Sequence, residues 1–392
     1  MLMKKRFDII VVGAGPAGST AAFFLAEKFH RSVLLIDKER FPRDKPCGGY
    51  LTKRVFERFN YLKAKVKEIT EVPTYGSFFY GPDLSKLEWI KEFPVGYLAL
   101  RIKFDDFVKN LAVTKGAEIL EGNAVENLLI SETEAKVLLR DGTSYTGDII
   151  IGADGARSLI AKKSQITGKS SSLSKGVCVV NEFEVPTEDI DEIYGDKRPT
   201  HYFYGFEGVI GYSWVFPKKH HINIGIGGPS NTGREIGQIF PRFLKFLREK
   251  NMIPASIRED SKFKAAIIPP STALYLNQSY SNRVLLVGDA LGVVSSISGE
   301  GIYQSMASGE DAARIANEAL DEKKFDASFL SRYEKIWKKD LGGELKMAGN
   351  IMTLGSSETK EELMRRVGSF FEKMKDEHGL FDYFANTFFS LK

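Results

Sequence analysis

The chain has 392 residues, of which 43% are hydrophobic and 27% are charged, a composition that is typical of globular proteins and excludes a mainly disordered chain. Its formal net charge is +4 and no segment is dominated by Lys or Arg, which argues against nucleic-acid binding. The two cysteines exclude a disulfide scaffold and favour a reducing, cytoplasmic location, and the five histidines lack zinc-ligand spacing, so no metal site is predicted.

The chain begins with the pattern of a strand, a helix and a second strand. Residues 7–12 form a β-branched run, residues 19–29 are small and apolar, and residues 32–36 are again apolar. Short uninterrupted apolar runs of this kind are typical of parallel strands that are buried on both faces. The sequence therefore predicts a βαβ unit over residues 7–36.

The turn between the first strand and the helix is rich in glycine and matches the pattern G-x-G-x-x-G over residues 13–18. The first glycine makes a tight turn, the second lets the backbone approach a pyrophosphate, and the third lets the helix pack closely on the strand. An acid at the end of the second strand can accept a hydrogen bond from a ribose hydroxyl. The pattern predicts a dinucleotide site that is formed by Gly13, Gly15, Ala17, Gly18 and Asp37.

The rest of the chain divides into three stretches of different pattern. The first is predicted to contain a loop at 41–49, a helix at 104–115, a strand at 117–120, a β-meander at 124–145 and a strand at 148–151. The second alternates like an antiparallel sheet, with strands at 177–184, 201–206, 212–216 and 222–226 and a helix at 233–250. The third has a strand at 283–287, a helix at 301–320 and a mostly helical end at 326–392, with turns near Gly355 and Gly379.

Two further motifs follow strands of the first and third stretches. Residues 152–158 read Gly-Ala-Asp-Gly-Ala-Arg-Ser, residues 288–290 read Gly-Asp-Ala, and residues 299–302 read Gly-Glu-Gly-Ile. Together with the glycine motif, in this order, they resemble the FAD-dependent para-hydroxybenzoate hydroxylase-like superfamily. The resemblance implies a noncovalently bound FAD that contacts Asp154, Asp289, Gly299, Gly301 and Ile302, with Arg101 and the backbone at Ala124 also near the cofactor. Taken singly, Asp154 and Asp289 also fit ordinary turn or cap residues, and Arg101 fits a surface arginine.

The resemblance implies an α/β fold with an α+β second domain. It has a Rossmann-like FAD-binding domain, an antiparallel-sheet substrate domain and a helical C-terminal region. The predicted FAD-binding domain comprises residues 1–75, 100–170 and 271–325. The predicted substrate-binding domain comprises residues 76–99 and 171–270, and the helical region comprises residues 326–392.

The loop Lys45-Pro46-Cys47-Gly48-Gly49 resembles the corresponding loop of the geranylgeranyl reductase branch of this superfamily. The resemblance implies that this loop covers the flavin, with Pro46, Cys47 and Gly48 as contacts. A polarisable thiol beside a flavin can tune its potential or touch an alkene, so Cys47 is the candidate catalytic residue. The alternative is that Cys47 is a small buried hydrophobic residue.

The segment Tyr212-Ser213-Trp214-Val215-Phe216-Pro217 resembles the Y-x-W-x-F-P motif of the same branch. Side chains two apart on a strand share one face, so the three aromatic residues are predicted to line a single surface that suits a long isoprenoid. Tyr212, Trp214, Phe216 and Pro217 are the candidate substrate-binding residues. An aromatic stripe of the core is the alternative. The glycines of residues 225–228 are predicted to allow a close approach of the flavin domain.

The resemblance implies reduction of the double bonds of a geranylgeranyl chain on a lipid by hydride from reduced flavin, with NADPH or reduced ferredoxin as electron donor. Three alternatives remain: a monooxygenase or halogenase of the same fold, a flavin electron-transfer protein that acts on quinone, and a lipid carrier without turnover. Ser296 stands where the family usually has proline, which argues against oxygen chemistry. Two cysteines do not suffice to ligate the iron–sulfur cluster that is common in the electron-transfer relatives.

The C-terminal segment has an amphipathic pattern. Phe381, Phe384, Phe388 and Leu391 fall on one helical face. The pattern favours packing on the body of the protein, and peripheral contact with a membrane is the alternative. No run of about 18 apolar residues occurs, so no membrane span is predicted.

Overall fold

A computed structural model describes residues 6–166, 176–346, 359–389 and 391. The chain divides into two compact units. The first unit comprises Met1–Asp44, Ile102–Leu173 and Pro269–Ile351, and the second comprises Lys45–Arg101, Ser174–Ile268 and Met352–Lys392. The functional roles of the predicted domains stay predictions.

The first unit is built on an eight-stranded sheet of β1 (Arg6–Val12), β2 (Val33–Asp37), β8 (Glu118–Glu121), β9 (Val125–Ile130), β10 (Ala135–Leu139), β11 (Ser144–Gly152), β17 (Tyr280–Ser281) and β18 (Val284–Leu286). The strand order is β17-β18-β11-β1-β2-β8, in which β10 pairs with β11 and β9 with β10. The four pairings that join β18, β11, β1, β2 and β8 are parallel, and the β9–β10–β11 meander and the β17–β18 pair are antiparallel.

The helices of the first unit cover this sheet. They are α1 (Pro16–Phe23), α4 (Arg101–Thr114), whose first residue belongs to the second unit, α5 (Leu159–Lys163), α8 (Gly288–Leu291), α9 (Ile302–Glu322) and α10 (Ala327–Asp340). The predicted βαβ unit and meander are confirmed. The helix that was predicted over residues 19–29 instead begins at Pro16 and continues from Phe24 to Lys28 as a π-helical turn. Proline at the first helical position is favoured because its missing N–H would have no partner there.

The second unit has a seven-stranded sheet of β5 (Gly76–Tyr80), β6 (Lys86–Ile90), β12 (Gly176–Glu184), β13 (Thr200–Tyr204), β14 (Tyr212–Pro217), β15 (His221–Pro229) and β16 (Lys264–Ile268). The strand order is β16-β12-β15-β14-β13-β5-β6, and the sheet is antiparallel except for the β13–β5 pair. A small sheet pairs β7 (Gly96–Leu98) with β3 (Tyr50–Thr52) and β4 (Val72–Thr74). The predicted antiparallel sheet is thus confirmed, with one parallel pair.

The described part of the second unit contains six α-helices. They are α2 (Lys53–Arg58), α3 (Val66–Ile69), α6 (Thr187–Tyr194), α7 (Gly233–Glu249), α11 (Lys360–Asp376) and α12 (His378–Phe388). One face forms an aliphatic core with α7, in which Val215, Ile224 and Phe243 are fully buried. The opposite face is aromatic and packs against α12.

The C-terminal helices bear out the favoured prediction for the amphipathic end. Phe381 and Phe388 are 7% and 2% exposed, and both contact Phe79 of the sheet. The predicted turn near Gly379 is a break at Glu377 between α11 and α12, whereas the predicted turn near Gly355 lies outside the described residues. None of the helices in the described ranges is long and apolar enough to cross a bilayer.

His201 makes the stability of the second unit sensitive to acid. Its ring is buried among Tyr80, Phe78 and Tyr194, and burial lowers the pKa of His201 to about 3. Because the folded pKa lies below the unfolded value, the stability contributed by neutral His201 is present above about pH 6.5 and is lost as the pH falls toward 3. Between pH 7 and pH 5 the loss is expected to be about 2 kcal/mol.

The His201→Phe variant should therefore show a flatter dependence of unfolding free energy on pH than the unchanged protein. His378→Phe, at an exposed position of α12, is the matched control and should leave the dependence unchanged. Urea unfolding between pH 7 and pH 5 measures both variants. Parallel curves for all three proteins would show that His201 does not titrate in this way.

Candidate functional site

The glycine motif lies at the end of β1, where backbone contacts leave no room for side chains. Gly13 has φ +106°, and a Cβ atom there would lie 2.2 Å from the carbonyl oxygen of Ala153. A Cβ atom on Gly18 would lie 1.9 Å from the carbonyl oxygen of Gly13. The Gly13 amide donates to the Ile36 carbonyl at 2.7 Å, which joins the turn to β2. Both glycines are therefore required by close packing, as the motif predicts.

Asp37 lies at the end of β2 with its carboxylate directed at this turn. One of its oxygens accepts from the Ala14 amide at 2.7 Å and the other from the Glu39 amide at 2.9 Å. Asp37 is 8% exposed. Because each carboxylate oxygen has a second lone pair, Asp37 retains the capacity to accept from a ribose hydroxyl.

Ala124 lies near the same end of β2. The Asn123 amide donates to the Asp37 carbonyl at 3.3 Å, and the Ala124 carbonyl accepts from the Arg140 amide at 2.9 Å. These main-chain hydrogen bonds hold Ala124, whose backbone is predicted to contact FAD, close to Asp37.

Asp154 contacts the glycine turn through its backbone and uses its carboxylate locally. Its amide nitrogen would lie 3.0 Å from a Cβ atom on Gly13. The carboxylate accepts from the Ser158 hydroxyl at 2.5 Å and from the amides of Leu159 and Ile160 at 2.7 and 3.1 Å, which caps α5. Burial raises the pKa of Asp154, while these hydrogen bonds oppose the rise. Its side chain therefore has the cap role that was the alternative, and contact with FAD stays a prediction.

The third motif packs on the helix that follows the glycine turn. Gly288 has φ +59°, and a Cβ atom there would lie 2.8 Å from the Cβ atom of Ala17. The Gly288 amide donates to the Ser308 hydroxyl at 3.0 Å. Asp289 is half-buried in the first turn of α8. All three motifs therefore meet around the start of α1 in the first unit.

The loop before α9 contains Gly299 with φ +69° and ends at Gly301, the N-cap of α9, followed by the buried Ile302. Ser296, at the place of the family proline, donates its hydroxyl hydrogen to the Ser271 hydroxyl at 2.7 Å. Pro270 and Val294 form an isolated parallel bridge beside this bond. The hydroxyl thus joins the loop to a neighbouring segment, which proline would not do.

Arg43 is a residue of this site that the sequence patterns did not single out. Its Nη2 atom lies 3.6 Å from the position of a Cβ atom on Gly15, and its Nη1 atom lies 3.0 Å from the Oδ2 atom of the fully buried Asp105. The sequence could have pointed to Arg43 only as a charged residue in the loop after β2. Its spacing from Asp105 does not predict that the two side chains meet. Arg43 brings a positive charge to the glycine turn.

These residues fit a dinucleotide cofactor. The amides of Ala17 and Gly18 belong to the first turn of α1, where backbone N–H groups lack helical partners and favour an anion. Arg43 adds a cation, and Asp37 offers acceptors for hydroxyl groups. The N–H donors and the Arg43 charge therefore match a diphosphate, and the Asp37 acceptors match an attached ribose.

In the second unit, the Cys47–Gly49 loop packs on β14, the strand that carries Tyr212, Trp214 and Phe216 and is called the aromatic strand below. A Cβ atom on Gly48 would lie 2.5 Å from the Phe216 ring, and Gly49 has φ +77° with its carbonyl oxygen accepting from the Ala99 amide at 2.8 Å. The Cys47 thiol is half-buried, and its sulfur accepts from the Gly49 amide at 3.4 Å. Pro46 precedes this loop, and Arg101, which is 8% exposed, begins α4.

The aromatic residues of β14 share one face, as their spacing predicts. The Tyr212 and Trp214 ring centroids lie 5.9 Å apart, and those of Trp214 and Phe216 lie 6.2 Å apart. Pro217 ends the strand. A Cβ atom on Gly225 would lie 2.2 Å from the Trp214 ring, so this glycine makes room for the indole within the sheet. Trp214 and Phe216 are 6% and 5% exposed, Tyr202 packs against Phe216, and Phe388 packs against Tyr202 and Tyr212.

The chain is similar to known proteins in sequence and in fold. The chain is 28% identical over 373 residues to a digeranylgeranylglycerophospholipid reductase 2 of Methanopyrus kandleri, covering 91% of this chain and 89% of the relative. It resembles the crystal structure of a geranylgeranyl bacteriochlorophyll reductase-like protein of Thermoplasma acidophilum with a TM-score of 0.78 at 22% identity, covering 93% and 90% of the two chains. A flavin-dependent brominase variant has a TM-score of 0.70 at 17% identity, covering 92% and 94%.

The two structural similarities establish the fold, an α/β protein with parallel and antiparallel sheets and a helical C-terminal region. The predicted fold class is confirmed. The family model described as "FAD binding domain" matches residues 6–336, which include the glycine turn and both aspartate motifs. The chain therefore belongs to the FAD binding domain family of flavoprotein oxidoreductases.

Proposed function

We propose that this protein is a FAD-dependent reductase that saturates double bonds of geranylgeranyl chains on a lipid. The observation that carries the proposal is the aromatic face of β14 with the Cys47–Gly49 loop packed directly on it. The names of the relatives from Methanopyrus kandleri and Thermoplasma acidophilum support the same substrate class. NADPH or reduced ferredoxin is the proposed electron donor.

The first unit supplies the residues that would hold the cofactor. The α1 amides and Arg43 would bind the diphosphate, and Asp37 would accept from the ribose. Asp289, Gly299, Gly301 and Ile302 of this unit are the further flavin contacts that the family resemblance implies. The resemblance also implies contacts from Pro46, Cys47, Gly48 and Arg101, which belong to the second unit. When reduced by its electron donor, bound FAD would supply a hydride to one carbon of the alkene, and a proton taken up by the other carbon would complete the saturation.

The second unit supplies the residues that would orient the alkene. An isoprenoid offers apolar surface and π electrons, which suit the rings of Tyr212, Trp214 and Phe216 beside Pro217. Trp214 and Phe216 are buried and Tyr212 is half-buried, so a chain that lies against them would be shielded from water. The Cys47 thiol is the proposed group beside the reacting double bond, and peripheral contact with a membrane is the proposed way to meet the lipid.

The test is an anaerobic reaction of the purified flavoprotein. The flavin is reduced with dithionite, a geranylgeranyl ether lipid is added, and reoxidation of the flavin is followed together with the product mass. We expect reoxidation and a product that gains two hydrogens for each double bond. A flavin that stays reduced until air is admitted, and then gives an oxygenated product, would contradict the proposal and favour a monooxygenase.

The Phe216→Leu variant tests the role of the aromatic strand in the same assay. We expect reoxidation at least about tenfold slower, because the ring contact with the alkene is lost. Phe263→Leu is the matched control, since Phe263 belongs to the same unit but is 40% exposed. Equal rates for the two variants would show that the aromatic strand is a core stripe and does not bind substrate.

A further inference from the structure

A buried polar network lies beneath the Cys47–Gly49 loop on the aromatic face of the second unit. The Lys218 side chain is 0% exposed, and its Nζ atom donates to the Oε2 atom of Glu182 at 2.6 Å. The Nδ2 atom of Asn223 donates to the same Glu182 oxygen at 3.0 Å and to the Cys47 carbonyl oxygen at 3.0 Å. The network thus ends on the backbone of the candidate catalytic residue.

The orientation of the Asn223 amide is fixed by its partners. Its Oδ1 atom accepts from the Trp214 indole N–H at 2.7 Å, while both Nδ2 bonds go to oxygen atoms. A rotated amide would place its oxygen against the Glu182 carboxylate and its NH₂ group against the indole N–H, which would lose all three bonds. The residue is 1% exposed, so water does not replace them.

Strand register brings these residues together. Asn223 of β15 pairs with Glu182 of β12 on one side and with Phe216 of β14 on the other. Directly opposed residues of adjacent strands point to the same face, so Glu182 and Asn223 share the face of the aromatic residues. The Lys218 ammonium, 3.0 Å from the position of a Cβ atom on Gly49, balances the charge of the half-buried Glu182 carboxylate.

We propose that Asn223, oriented by the Glu182–Lys218 pair and by Trp214, is a positioning residue that fixes the Cys47–Gly49 loop and thereby the presentation of the Cys47 thiol. The glycines let the loop lie on Phe216 and pair with Ala99, and Asn223 provides the side-chain bond to Cys47 itself. The consequence for alkene reduction rests on the proposed function. The effect on the thiol does not.

The test measures alkylation of Cys47 by iodoacetamide in the FAD-loaded protein, followed by mass spectrometry of the Cys47 peptide. In Asn223→Ala and Asn223→Asp we expect Cys47 to react about tenfold faster, because neither side chain can donate to the Cys47 carbonyl. Asn181→Ala is the matched control, since Asn181 lies on β12 beside Glu182 and its Oδ1 atom accepts from the Glu182 amide. Its Cys47 rate should equal that of the unchanged protein.

Cys178 reports on the fold in the same sample. It is 3% exposed in β12, and burial raises the pKa of Cys178 to about 12, so it reacts only if the unit opens. Faster Cys47 alkylation with Cys178 protected supports the proposal. An unchanged Cys47 rate, or equal acceleration of both thiols, overturns it. Should neither Asn223 variant fold, Trp214→Phe replaces them with the same outcomes, because it removes the bond that orients the amide.

The two proposals fail separately. A protein in which Asn223 variants accelerate Cys47 alkylation, but which does not reduce a geranylgeranyl lipid anaerobically, would retain the positioning role and lose the proposed function. Alkene reduction with Cys47 alkylation unchanged in both variants would retain the function and remove the role of Asn223.

Discussion

Replacing Gly13 by alanine is expected to abolish FAD binding and to lower the unfolding free energy of the first unit by about 4 kcal/mol. Two effects combine at this position. The backbone has φ +106°, which strains any residue with a Cβ atom, and the added atom would lie 2.2 Å from the Ala153 carbonyl oxygen. Since that oxygen belongs to the backbone, relief would require β1 and the segment after β11 to separate where the cofactor turn is formed.

Gly116→Ala separates the two effects. Gly116 has φ +109°, nearly the same backbone conformation, but no heavy atom of the described residues lies within 4 Å of the added Cβ atom. This control should cost about 1–2 kcal/mol from strain alone and should leave FAD affinity unchanged. Urea unfolding and FAD titration of both variants measure the difference. Similar losses in the two proteins would show that the turn does not need the close approach of Ala153.

The sequence predicts the first unit well where the signal is local. The apolar run before Gly13, the spacing of the motif and the acid at Asp37 depend on neighbours in the chain, and all lie as predicted. The contacts that close the site are not local. Gly13 meets Ala153 because β1 pairs with β11, and Arg43 reaches Gly15 from a loop beyond β2. Neither partner follows from periodicity, because the register of distant strands is set by the whole sheet.

The second unit shows the same division. Alternation along residues 212–216 predicts one aromatic face, which the ring contacts confirm. The approach of the flavin domain to the glycines of residues 225–228 stays a prediction, and the contact that the structure shows at Gly225 is with the Trp214 ring of the same sheet. Asn223 gave no signal in the sequence, because a single amide between apolar residues has meaning only when its partners on β12 and β14 are known.

Replacing Phe388 by alanine is expected to lower the unfolding free energy of the second unit by about 3–5 kcal/mol, the usual cost of removing a buried aromatic ring. Phe388 is 2% exposed. Its ring centroid lies 4.8 Å from that of Tyr202 and 5.5 Å from that of Phe79, both on the aromatic face of the sheet. The substitution would leave a cavity between α12 and that face of the sheet. The unfolding free energy would fall both because packing is lost and because α12 is held less firmly on the sheet.

Tyr383→Ala is the matched control on the same helix. Tyr383 is 64% exposed, and its truncation should change the unfolding free energy by no more than about 0.5 kcal/mol. Urea unfolding of both variants gives the two values, and binding to lipid vesicles is measured in parallel. If Phe388→Ala left stability unchanged but weakened vesicle binding, the aromatic side of α12 would be a membrane contact. If only Phe388→Ala causes a large loss of stability, the apolar face of α12 packs on the sheet. The Phe388 ring cannot be buried against the sheet and in a membrane at the same time.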